Sequence, residues 1–156
     1  VIGNRKEKMG IFSEKDIKKI SACLEPESIC QEKDHHRLKI ANPRGKRSVI
    51  LELYPEVTLG KTKGPLVVVY TSNCHLQLHN VSGYVISEEL GEVTFVGEDV
   101  GKISGLVVEK DAGCAFYANV KRELISGDFT RLGVEVMLSG VALSLAEEVL
   151  EKKKEP

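Results

Sequence analysis

A chain of 156 residues with 42% apolar side chains has the length of one ordinary domain and enough hydrocarbon to line a sizeable core. Its longest apolar runs, Leu66 to Tyr70 and the punctuated stretch 134–150, fall short of the roughly 20 residues that carry a helix across a bilayer. With 22 Lys and Arg against 23 Asp and Glu and a pI near 6.5, it also lacks the strongly basic balance of many nucleic-acid binders.

The charge is unevenly spread. Residues 1–47 hold 12 Lys and Arg against 7 Asp and Glu, and the remainder is acidic. No charged and apolar leader pattern opens the sequence, so the cytoplasm is the expected address. Residues 1–9 are set aside, and a single α+β domain is expected over 10–154. Lys and Glu dominate the charged residues and Trp is absent, a bias reported for proteins of hot environments. The four cysteines, Cys23, Cys30, Cys74 and Cys114, form no C-x-x-C pair and read as buried free thiols.

In chain order, Ser13 and Asp16 have the spacing of a capping box, and Phe12 and Ile17 that of a hydrophobic staple. Ile17, Ile20 and Leu24 then recur at helical spacing until Pro26, which predicts a short amphipathic helix. The polar stretch 26–37 reads as a loop. From Arg37 the period becomes two, with Leu38 and Ile40 on one face and Arg37 and Lys39 on the other. Asn42-Pro43-Arg44-Gly45 is a turn, and Val49, Leu51 and Leu53 mark the returning strand. Residues 56–65 read as a loop before Leu66-Val67-Val68-Val69-Tyr70, which is apolar on both faces like a central strand. Next, Cys74, Leu76 and Leu78 point inward and His75, Gln77 and His79 outward. Strand-like pieces follow at 84–87, 93–97, 103–109 and 114–120.

After Gly127 the pattern is helical: Val134, Leu138, Val141, Leu145 and Val149 form a stripe around a centre rich in small residues. That stripe either packs on the sheet or forms the interface of a homo-oligomer. The expected fold is therefore α+β: an antiparallel meander sheet or barrel flanked by a short N-terminal helix and a long C-terminal amphipathic helix. A β-solenoid with a C-terminal helix is the lesser alternative, because the glycines between 83 and 113 follow no fixed period.

Chemistry-bearing motifs are sparse. His75 and His79 lie about 13 Å apart on a strand rising about 3.3 Å per residue, too far to share one zinc. Gly60-Lys61-Thr62 imitates the end of a phosphate-binding loop, but Pro55 stands where the first glycine belongs. No G-x-S-x-G is present, and the patterns name no cofactor and no metal. Two constellations remain. His75, Gln77, His79 and Tyr84 are the candidates for a polar ligand pocket. Arg37, Lys39, Arg44, Lys46 and Arg47 make a basic hairpin for an anionic or protein partner, with Lys61 and Lys63 as additional neighbours. No aromatic residue for base stacking lies inside that basic stretch.

The function expected on this basis is a non-catalytic binding, regulatory or assembly module acting through a sheet surface and the C-terminal helix. The alternatives are a small enzyme or ligand-binding protein built on the His75–His79 strand, and, with less support, nucleic-acid binding through 33–47.

Overall fold

The computed structural model describes residues 11–73 and 75–121. It begins with a helix, α1 (Glu14–Leu24), and continues through nine strands: β1 (Ser28–Gln31), β2 (His36–Asn42), β3 (Arg47–Leu59), β4 (Thr62–Tyr70), β5 (His75–His79), β6 (Val81–Ser87), β7 (Glu92–Asp99), β8 (Lys102–Glu109) and β9 (Cys114–Lys121). Strands β1 to β5 form one antiparallel sheet and β6 to β9 a second, each in simple sequence order.

Helix α1 forms because its ends are specified locally. Ser13 caps it, accepting from the Asp16 amide while the Asp16 carboxylate accepts from the Ser13 backbone N–H at 3.0 Å, so two otherwise orphaned donors are satisfied. Glu25, in the left-handed region at φ 49°, ends it. Ile17, Ile20, Cys23 and Leu24 are its buried residues, each large aliphatic one stabilising by about 1.5–3 kcal/mol when fully buried.

One core cluster joins the helix to both sheets. Leu38, Ile40, Val49, Leu51, Leu53, Val67, Val69 and Leu78 come from the first sheet, and Val81, Val93, Phe95, Leu106 and Val108 from the second. Period-two alternation turns the other residues of each strand outward. On the second sheet that outer face includes buried Thr94, Val96 and Val107. On the first it is largely polar.

The α+β expectation is corrected by this architecture. Among the described residues the protein is mainly antiparallel β, in two open sheets with one short helix. It is neither a single meander nor a closed barrel, and antiparallel pairing of successive strands is not the arrangement of a solenoid. The meander divides at Asn80, whose φ of 53° turns the chain between β5 and β6. Gly97 packs against that turn: a Cβ there would lie 2.9 Å from the His79 carbonyl oxygen. The expected C-terminal helix, with Val134, Leu138, Val141, Leu145 and Val149, lies outside the described residues.

Two expected loops are strands. Residues 28–31 pair with β2. Strand β3 runs on to Leu59 through an irregularity between Tyr54 and Val57, and pairs with β4 across the Gly60-Lys61 turn. None of the helices among the described residues is long and apolar enough to cross a membrane.

Candidate functional site

The outer face of the first sheet gathers most of the side chains capable of recognition. Register places them in rows across the strands. Arg37 lies opposite Glu52, Glu52 opposite Val68, and Val68 opposite Gln77. A neighbouring row runs Lys39, Ile50, Tyr70, His75, and on the other side Tyr54, Leu66 and His79 align. Alternation turns these residues outward because their neighbours Leu38, Leu51, Leu53, Val67, Val69 and Leu78 fill the core.

Glu52 is the hub. Its side chain is 12% exposed, and its carboxylate lies 3.4 Å from His35 Nε2 and 3.8 Å from Arg37 Nε. The Tyr54 hydroxyl donates to Glu52 Oε1 at 3.2 Å, and Tyr70 stands near enough to feel the charge of the same carboxylate. His35 is held on its other nitrogen by Asp34 Oδ1 at 2.8 Å, a contact that holds the Asp34 carboxyl below its usual range. Burial, then the Glu52 charge and hydrogen bond, push the Tyr54 phenol up to about 12. The same causes raise Tyr70. Phenols are neutral donors at neutral pH in any case, and these shifts extend that state further into the alkaline range.

Aromatic rings stand on both sides of this hub. His35 stacks on Tyr54 with ring centroids 4.3 Å apart, and Tyr70 on His75 at 4.8 Å, the latter pair inclined by only 12°. Tyr70 is 39% exposed. Along β5 the Gln77 amide bridges the two histidines, 3.1 Å from His75 Nε2 and 2.9 Å from His79 Nε2. Among the described residues no group of three or more His, Cys, Asp or Glu is placed to hold a metal ion.

The basic hairpin flanks this face. Arg37 and Lys39 project from β2, and Lys39 Nζ lies 3.6 Å from Glu27. Arg44 and Lys46 are in the turn 43–46 and Arg47 opens β3; all three are exposed and have no carboxylate partner among the described residues. Asn42 Oδ1 accepts from the Gly45 amide at 3.2 Å and shapes the turn. Lys61 and Lys63 are not neighbours of this cluster: they sit at the β3–β4 turn, at the opposite end of β3.

Of the residues expected in a pocket, His75, Gln77 and His79 share this face, but Tyr84 does not. Tyr84 belongs to the second sheet, packs against the core and donates to Asp16 Oδ1 at 2.6 Å. His35, Glu52, Tyr54 and Tyr70 complete the face and were not singled out as a ligand set, because only strand register brings them together. A signal was present: in residues 50–54 the outward positions Glu52 and Tyr54 interrupt an otherwise apolar strand.

A separate groove lies between α1 and β1, lined by Ile17, Ser21, Ala22, Pro26, Ile29 and His36. Within it Ser21 Oγ and His36 Nδ1 are buried without a hydrogen-bond partner. Comparison with family models, curated proteins and solved structures gave no significant match. The chemistry of the first-sheet face therefore carries the functional reading.

Proposed function

We propose that this chain is a non-catalytic binding module whose working surface is the outer face of its first sheet. The observation that carries this reading is the Glu52 hub. One mostly buried carboxylate fixes Tyr54 by a hydrogen bond and draws His35 and Arg37 to itself, while Tyr70 is held by stacking on His75. Rings and donors are thus held in place before any ligand arrives, which lowers the ordering cost of binding.

Binding is favoured over catalysis because the protonatable groups are engaged with one another. Gln77 ties down His75 and His79, and Glu52 is shared by four neighbours. A general base needs a free lone pair within reach of a substrate proton. The exposed cations at 44–47 favour a ligand with anionic groups as well as flat ones.

A thermal-shift screen of the full chain against phosphorylated metabolites, oligosaccharides and short peptides tests the reading, with the Tyr70→Ala/His79→Ala double variant run in parallel. A ligand that stabilises the parent and leaves the variant unmoved supports it. Ligands that stabilise both equally would place the working surface elsewhere.

A further inference from the structure

We propose that the outer face of the first sheet binds single-stranded nucleic acid; this rests on that face being the working surface and names its ligand class. The argument begins with the juxtaposition that register creates. The basic hairpin contains no aromatic residue of its own, but the sheet sets Tyr70 and His75 in the same row as Lys39, three pairs from the Asn42–Arg47 pair at the turn end of β2 and β3. Stacking surface and positive charge are therefore adjacent, although they are distant in sequence.

Each part of the face matches a part of a nucleotide. Arg44 and Lys46, in the turn at this end of the sheet, have no carboxylate partner among the described residues, so phosphate is the anion they can neutralise without breaking an existing pair. Of the ring pairs Tyr70–His75 and His35–Tyr54, the first is the exposed one and offers a flat plate to bases of any sequence. Between the two pairs stand Arg37, Glu52 and Gln77, whose contacts with one another, with Tyr54 and with the two histidines brace the face, so stacking and not edge reading is what it offers a base.

The same chemistry selects single strands over duplex. In a duplex the base faces are stacked on one another, so the plate would have nothing to meet. A nearly neutral protein can thus present a local site that its overall charge conceals.

The test is fluorescence anisotropy of the full chain with a 5′-labelled oligouridine of about 12 nucleotides, a length within the range that single-strand binding modules cover. Binding is expected at about 50 mM salt and should weaken steeply by about 200 mM. Tyr70→Ala should weaken it by about 5- to 150-fold, as expected for losing one stacked base. Arg44→Gln/Lys46→Gln should flatten the salt dependence, and a hairpin duplex of the same length should compete poorly. Equal competition by duplex, or no binding at the lower salt, would overturn the nucleic-acid inference; a small-molecule hit abolished by Tyr70→Ala/His79→Ala would then leave the working surface standing. Tight oligouridine binding that none of these variants alters would overturn both.

Discussion

The Tyr84 hydroxyl donates to the Asp16 carboxylate at 2.6 Å and thereby ties the second sheet to the first turn of α1. Burial raises the Asp16 carboxyl, but hydrogen bonds from Tyr84 and Ser13 and the nearby Lys19 charge outweigh it, and the group titrates below its ordinary 3.8. A depressed folded-state pKa gives stability that is present above the unfolded value and is lost as pH falls through the folded one. Asp16→Asn should therefore lower Tm near neutrality and flatten the fall in Tm below about pH 5. Tyr84→Phe should cost about 1–2 kcal/mol in urea denaturation. An acid limb unchanged in Asp16→Asn would remove Asp16 from the account.

Tyr54 gives the opposite limb. Its phenol is pushed up to about 12, so the fold favours the protonated form, and the associated stability is complete below the ordinary value of 10 and lost as pH rises toward 12. Glu52→Gln removes one of the causes. In an ultraviolet titration of tyrosinate, the last phenol to ionise should move toward lower pH in that variant, and Tyr54→Phe should remove the same step. A late step that survives Tyr54→Phe would belong to another tyrosine.

Gly97→Ala should be costly although it adds a single methyl. The new Cβ would stand 2.9 Å from the His79 carbonyl oxygen and 3.3 Å from that of Asn80, backbone atoms at the one chain crossing between the sheets. Overpacking of this kind typically costs about 1–3 kcal/mol. Gly83→Ala, where a Cβ would meet nothing within 4 Å, should be far milder. Equal midpoints for the two variants in urea would contradict the tight crossing.

Thiol chemistry should separate Cys30 from Cys23. Cys30 is exposed, whereas Cys23 is buried with its Sγ 3.5 Å from the Glu92 carbonyl oxygen. Burial also pushes the Cys23 thiol up, with the Glu88 and Glu92 charges adding to it. Cys30 should react with a disulfide reagent in the native state, and Cys23 only on unfolding. Mass mapping after brief labelling checks the order.

What could be read in advance was whatever is written locally. The Ser13–Asp16 box announced α1, and alternation at Leu38/Ile40, Val49/Leu51/Leu53 and Leu76/Leu78 announced strands with their inward faces. Strand β1 could not be read that way: all four of its residues are exposed, so no alternation marks it and only pairing with β2 makes it a strand. The far half of β3 was hidden by Pro55, where the register slips instead of ending. Tyr84 was grouped with His79 because they are close in sequence, yet the left-handed Asn80 between them sends each to a different sheet. Glu52, Tyr54 and Tyr70 joined the site only through cross-strand register, which depends on hairpin lengths that polar turns do not specify.

Every pairing in both sheets is between strands adjacent in sequence. Each hairpin therefore closes a short loop, a small entropic step that favours fast zipping over a long search. During synthesis, each strand of the first sheet meets its partner as soon as the next one emerges. Burial of the inner face must wait until Phe95 and Leu106 arrive to cover it. The strand order of the first sheet can thus be settled before its core is closed.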